Sequence, residues 1–510
     1  MKVTSVLLDA TGIQQYVFGS NDLKENLGAS YLVENIFEGI LKSSLDKLQI
    51  KNVGMDEWYK NPQSVNIGRP DIEMEIGYIG GGNALLLFKE RSRAIAFMRE
   101  WTKQLLIASP GLRTSVAIKD DFERDNYQNE IKLLHKKLKE NKFMFQPQVI
   151  LPRHGITAEC SHTGFSAEQI YTEDNKHIPI SSVAASKRIV KDKANEKLKE
   201  KFKDVIGDKY RFPELLDDLG QRKDESNYIS VIHIDGNRIG ERFNDCKNLI
   251  ESRNLSHCVK NATESAMREL LKNITDKYEK YKENLNLEKN NLPIRPIIFG
   301  GDDVTFVADG RLGVYFTEIF IKKFIKQKVS DGKPLSACAG IAITKSKYPF
   351  YRGYELAEQL CREAKKKAGE EKGSSWLDFH IAQEGFSGTI QEIREKNYTV
   401  SEGNLCLRPY RVAGDKDNYR SLNSCIDGMK ALKKTWPKSK LMELREMLTL
   451  GEISSKQFIQ EMKFRGLELP DIKERSYFKD DVWSGRETPY FDMIELAKFY
   501  PDFLLDEAKT

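Results

Sequence analysis

The sequence predicts an α+β protein built from two copies of one strand-and-helix unit, and three paired observations predict it. Val3 to Phe18 (VTSVLLDATGIQQYVF) and Tyr228 to Phe243 (YISVIHIDGNRIGERF) each run an apolar strand into an aspartate, Asp9 and Asp235, then a glycine and an amphipathic segment. At a similar distance downstream, Glu75 to Phe88 (EIGYIGGGNALLLF) and Arg295 to Val307 (RPIIFGGDDVTFV) each place a tight glycine turn between two apolar runs, which is a hairpin signature. A third apolar strand follows each hairpin, Leu112 to Lys119 in the first copy and Leu335 to Lys345 in the second. Three elements in one order at matching spacing mark an internal duplication. The copies span about 1–124 and 226–373.

The remaining segments differ in character. Residues 125–225 are rich in Lys and Glu, with helical periodicity near Ile131 to Leu138 and Ala185 to Phe202, and read as an inserted mixed or helical subdomain. Beyond residue 374 strand patterning thins. Ser439 to Leu448, Ser455 to Phe464 and Phe491 to Phe499 predict a helical domain over 374–510.

Composition sets bounds. The 510 residues exceed one core and suit several domains. Charged residues make up 31% and the net charge is +5, mildly basic, which suits an anionic ligand without requiring bulk nucleic-acid binding. No apolar run approaches the roughly 18 residues of a membrane span, and the N-terminal apolar stretch meets Asp9 too early to read as a signal peptide. The cysteines number seven, with no C-x-x-C pair, so reduced thiols in a cytoplasm are expected.

The chemistry concentrates in the second copy. A carboxylate at the end of a central strand (Asp235) and two in the neighbouring hairpin turn (Asp302, Asp303) can converge on a pair of Mg²⁺ or Mn²⁺ ions. Phosphoryl transfer uses two cations about 3.5–4 Å apart to stabilise the attacking and leaving oxygens. Gly300 and Gly301 allow positive φ and close approach of a phosphate. Gly236, Asn237 and Gly240 open a helix whose free N–H groups can face a phosphate. Tyr354 to Gly369 reads as a helix with Leu356, Leu360 and Ala364 on one face and Lys365, Lys366 and Lys367 at its end; one of these lysines is placed to reach a triphosphate, or the run is a solvated helix end. His233 shares a strand face with Asp235 and is either a base or, preferably, a packed core residue.

The order of these elements resembles the palm domains of the large polymerase-like subunit of type III CRISPR effector complexes. Leu7 to Phe18 is similar to that family's first palm, and Ile297 to Val307, Ser336 to Ile343 and the helix reaching Lys365 resemble its second. The second palm is also similar to diguanylate cyclases. The resemblance implies two ferredoxin-like palm domains, one intact and one degenerate. It implies joining of ATP 3′ to 5′ with pyrophosphate release, giving cyclic or linear oligonucleotide messengers in antiphage defence. It places Asp235, Asp302 and Asp303 on metal and Lys365 on the triphosphate. It extends weakly to Cys406 to Arg411 and Tyr490 to Phe499. The first palm starts at residue 1, with no His-Asp doublet of an HD nuclease domain. The family's inter-palm cysteine zinc site is missing, its nearest candidates being His154, Cys160, His162 and His177. A stand-alone relative is therefore expected, with no membrane association and a downstream effector reached only through the messenger. An activator such as RNA fits this expectation.

The first copy reads Gly80-Gly81-Gly82-Asn83 where the second has Gly300-Gly301-Asp302-Asp303. It should not build a two-metal site. With Asp9, Gly81 and Gly82 retained, it either seats the second nucleotide or serves as a structural half. A mononucleotide or dinucleotide cyclase is the alternative within the same chemistry. A silent nucleotide or nucleic-acid sensor is the alternative outside it, motivated by clusters such as Lys187-Arg188 and Lys433-Lys434.

Overall fold

The computed structural model describes residues 2–144, 155–173, 175–220, 227–382, 388–413, 420–470 and 482–505. Strands β1 (Lys2–Thr11), β2 (Met74–Gly80), β3 (Asn83–Phe88) and β4 (Arg113–Glu123) form an antiparallel sheet in the order β2-β3-β1-β4, the ferredoxin-like arrangement. The hairpin β5 (Gln169–Glu173) and β6 (Lys176–Ile180) stands alone in the insert. Strands β7 (Tyr228–Gly236), β8 (Ile294–Gly300), β9 (Asp303–Asp309) and β10 (Ala337–Lys345) repeat the first order as β8-β9-β7-β10. That sheet then continues through β11 (Ser375–Ile381), parallel to β10, to β14 (Tyr410–Ala413). The two-residue strands β12 (Thr399–Val400) and β13 (Gly403–Asn404) pair with each other.

Both palm sheets are covered on two faces, which is why their central strands read as nearly unbroken apolar runs. Helices Leu23–Asn35 and Arg91–Ala108 bury one face of the first sheet, with Val6, Leu8 and Leu86. Helix Tyr127–Phe143 buries the other, packing Ile131, Leu134 and Leu138 on Leu7 and Ala117. Sequence reading finds the periodicity of Ile131 to Leu138 but assigns that helix to the insert, because periodicity does not tell which sheet a helix covers. In the second palm, helices Leu249–Asp276 and Gly313–Phe324 cover one face and Phe350–Glu370 the other. No helix of the described residues is long and apolar enough to cross a membrane.

The region after residue 374 is helical over Leu422–Thr435, Lys438–Thr449, Glu452–Phe464 and Tyr490–Lys498, but β11 and β14 belong to the palm sheet. β14 is only four residues long and β11 carries the buried polar residues Asp378 and His380, so neither reads as an apolar run. The junction is fixed by a buried ionic knot. Arg408 pairs with Asp492 (2.9 Å) and Glu495 (2.6 Å), and Tyr410 donates its hydroxyl to Asp492 at 2.7 Å. Sequence reading singles out the two segments that carry this knot, though not their meeting. Breaking one member of such a set strands a charge, typically costing ~3–5 kcal/mol.

Candidate active site between two palms

The β7–β9 and β8–β9 ladders set the site. Asp235 lies opposite Asp303 across β7 and β9, and Gly300 opposite Asp303 across the hairpin. The turn closes against the end of β7, where the Gly236 N–H donates to the Asp302 carbonyl at 3.2 Å. A Cβ on Gly236 would lie 2.8 Å from that of Asp302, so only glycine lets the turn sit this close. Gly301 takes φ 62°, and Thr263 donates its hydroxyl to the Gly301 carbonyl at 2.6 Å. The three predicted carboxylates are thus brought to one end of the sheet. Lys365 comes from the facing helix, its Nζ 2.5 Å from Asp235 Oδ2, while Lys366 and Lys367 pair with Glu363 and Glu370 on their own helix.

The electrostatics are those of a site short of cations. Burial and the nearby Asp235 raise the carboxyls of Asp302 and Asp303 to about 7. Asp303 still shows 36% of its side chain, so it opens to the cleft. Burial pulls the Lys365 ammonium down, but Asp235 outweighs that and holds it above its ordinary value. His233 is buried, with Nδ1 3.4 Å from Asp303 Oδ1 and its ring edge-on to Tyr354, and burial lowers its pKa. A neutral packed imidazole is the outcome.

The residues opening the next helix behave differently from expectation. Asn237 gives its side chain to Ser336 and the Ser374 carbonyl, both at 3.2 Å, so it staples loops and does not face the cleft. Helix Ile239–Asp245 is only seven residues long, and its N-cap Arg238 takes left-handed φ 57°. A Cβ on Gly240 or Gly300 would meet nothing within 4 Å.

The first palm reproduces this geometry without the turn acids. Asp9 lies opposite Asn83, Gly80 pairs with Asn83, and the Ala10 N–H donates to the Gly82 carbonyl at 2.8 Å. Gly81 and Gly82 take φ 58° and 75°. The two glycine turns meet, for a Cβ on Gly301 would lie 3.5 Å from the Gly81 nitrogen. Asp9 also finds a lysine that sequence reading missed, Lys142, with Nζ 2.6 Å from Oδ2. Only the repeat of a helix after β4 could have signalled it.

A cavity of about 420 Å³ opens where the palms join, within the range of small-molecule sites. Gly80 to Gly82, Gly300 to Asp303, Ser30, Tyr31, Tyr59 and Lys260 are among its lining. It runs along the outer edge of β8 beneath helix Leu23–Asn35 and the insert helix Lys191–Lys201.

A second carboxylate group lies apart from this cleft. Among the described residues, only Asp22, Glu25 and His162 bring ligand atoms all within 4.8 Å of one another. Their cation is already present. Arg188 donates Nε to Glu25 at 2.8 Å, Nη2 to Asp22, and Nη1 to Glu173 at 2.6 Å. This knot fastens the insert to the first palm. Of the zinc candidates, His177 pairs with Thr172 at 3.1 Å on the β5–β6 hairpin, His162 joins the Arg188 knot, Cys160 is buried, and His154 lies outside the described residues.

Comparison with known proteins follows this geometry. The family profile described as Cas10/Cmr2, second palm domain, matches residues 228–374. No curated protein matches the chain by sequence. Among solved structures, the Csm1-Csm4 cassette in complex with pppApA superposes with a TM-score of 0.56 at 12% identity, covering 98% of this chain and 69% of that one. The same cassette in complex with pppApApA gives 0.54 at 11%, and with AMPPNP 0.53 at 13%, at the same coverages. Residues 228–374 are thus similar to a Cas10/Cmr2 second palm domain, set in a fold that resembles one chain of these cassettes along nearly the whole of this chain.

Proposed function

We propose that the protein is a nucleotidyltransferase that joins nucleoside triphosphates, ATP foremost, 3′ to 5′ into a cyclic or linear oligonucleotide messenger. The observation that carries this reading is the meeting of Asp235, Asp302 and Asp303 at one end of the sheet beside Lys365, with Asp302 and Asp303 in the wall of the inter-palm cavity. The similar cassettes hold pppApA, pppApApA and AMPPNP, a linear series consistent with stepwise addition.

Divalent cations suit the residues. Three carboxylates face one ammonium, two of them are pushed up to about 7, and Asp303 Oδ1 is buried without a hydrogen bond. Their oxygens do not form a closed cage, which fits Mg²⁺ or Mn²⁺ held by one or two carboxylates plus substrate phosphates. Bound there, two such ions would supply stabilisation of the charge on the attacking and leaving oxygens. The chain's own residues do the positioning. Gly301 lets the backbone turn approach the phosphates, and Lys365 exchanges Asp235 for the triphosphate. The first palm, extended by helix Tyr127–Phe143, seats the nucleotide whose 3′ hydroxyl attacks the α-phosphorus as the α–β bridging bond breaks and pyrophosphate leaves. We infer a cytoplasmic enzyme whose effector meets it only through the product.

Incubation with Mg²⁺ and each triphosphate, alone and mixed, with products resolved by mass spectrometry, tests the reading and separates oligomers from mononucleotide or dinucleotide rings. Absence of pyrophosphate from every mixture, with Asp302→Ala indistinguishable from the parent, sinks it.

A further inference from the structure

We propose that Lys142 anchors the triphosphate of the nucleotide seated on the first palm, and does so without a divalent cation. The proposal rests on the two-nucleotide reading above.

The two palms supply the argument by their correspondence. Asp9 faces Asn83 on one side and Ser115 on the other, as Asp235 faces Asp303 and Cys338. A long helix follows β4 in one copy and β10 in the other, and each packs on its own sheet. Each sends a lysine to the strand-end aspartate, Lys142 to Asp9 at 2.6 Å and Lys365 to Asp235 at 2.5 Å. The side chains are 39% and 34% exposed, so either ammonium can swing from its carboxylate to a ligand.

What differs is the charge around the pair. Lys365 faces Asp235, Asp302 and Asp303, leaving acid in surplus. Among the described residues, the acid Lys142 pairs with is Asp9, because Gly82 and Asn83 stand where the turn acids would be. Among the described residues, the first palm's turn offers an added cation no carboxylate beside Asp9. An added phosphate has an ammonium at hand, with Asp9 as its competitor, beside a turn where Gly81 leaves the backbone open while Ile13 packs against Gly82.

Competition makes a prediction that a structural tie does not. Binding of a non-hydrolysable β,γ-imido triphosphate to the full chain is measured by calorimetry in excess EDTA, and repeated in a Lys365→Met background so that the second ammonium does not contribute. Lys142→Met should weaken binding about tenfold, the loss of one charge-assisted contact. Lys142→Arg should keep it, and Asp9→Asn should tighten it by freeing the ammonium. Thermal melts confirm folding of each variant. Equal weakening by Lys142→Met and Asp9→Asn makes the pair a structural tie and overturns the proposal. So does metal-free binding that ignores Lys142, or no metal-free binding at all. If product still forms with Mg²⁺ in any of those cases, the two-nucleotide reading stands while this one falls.

Discussion

The two palms share one ladder, one pair of touching glycine turns and one lysine–aspartate contact, yet their edges are finished in opposite ways. On the first palm, helix Leu249–Asp276 drives Arg253 onto the exposed edge of β2. Its guanidinium donates to the carbonyls of Gly77 (2.9 Å) and Ile76 (2.7 Å) and to Glu75 (2.9 Å), and it is fully buried. On the second, helix Leu23–Asn35 presents Leu27, Ser30, Tyr31 and Glu34 toward β8, and a cavity remains. The lesson is that a duplicated unit diverges by what fills its edge. The outer edge of the palm that lost its turn acids is sealed with an arginine, and the outer edge of the palm that kept them leaves room for a ligand, which the first palm's glycine turn also lines.

The largest expected effect separates the two turns. Asp302→Ala should lower turnover by about 10³-fold or more, since a metal clamp supplies several kcal/mol of transition-state stabilisation. Asn83→Ala, at the matching place in the first palm, should cost far less. Product counts by mass spectrometry decide, and equal losses would break the distinction between an acidic and a degenerate turn. The sealed edge gives the next effect. Arg253→Ala leaves Glu75 buried at 3% exposure without its cation, held only by the N–H groups of Asn66 and Ile67, and should cost ~3–5 kcal/mol of stability. Leu27→Ala lines a cavity already open and should cost nearer ~2 kcal/mol. Urea titration of both would expose any inversion of that order.

Much of this comparison was legible in the sequence, and the reason is local. The duplicated strands, the two hairpins and Asp235, Asp302 and Asp303 follow from apolar runs ending at acids and glycines, patterns that short-range physics fixes. Gly236 proved to matter for contact with Asp302, while Asn237 was spent on Ser336 and Ser374. That difference depends on loops distant in sequence. Lys142 stayed hidden because a lysine in a Lys-rich helix looks like any solvated residue until the helix is docked on β1 and β4. The Arg408 and Arg188 knots were invisible for the same reason: each joins segments whose meeting only the fold determines.

Lys365 refines the comparison from the side of the substrate. Lys365→Met should raise the triphosphate concentration needed for half-maximal rate by roughly 10–100-fold, the value of a charge-assisted phosphate contact. Because the same ammonium neutralises Asp235 when no nucleotide is bound, the variant should also bind Mn²⁺ more tightly in the absence of nucleotide. Weaker nucleotide use together with tighter metal binding would be the mark of a lysine that exchanges partners. Weakening of both would make it a structural brace.

The smallest effect is the pH dependence of metal binding, and it follows from the raised carboxyls alone. Asp302 and Asp303 titrate near 3.8 in an unfolded chain and at about 7 here. Between those values the native state keeps protons that the unfolded chain has lost, so metal-free stability falls as pH rises through this window and levels off above about 7. A bound cation requires the ionised form, so its affinity must move the other way. Mn²⁺ affinity should fall about threefold to tenfold from pH 8 to pH 6.5. Metal-free triphosphate binding at the first palm, with no turn acid to titrate, should follow only the ionisation of the ligand's own terminal phosphate over the same interval. Calorimetric titrations at the two pH values measure both on one sample. A flat Mn²⁺ affinity would mean that Asp302 and Asp303 stay ionised without metal, and the acid surplus that sets the second palm apart from the first would then have some other counter-charge.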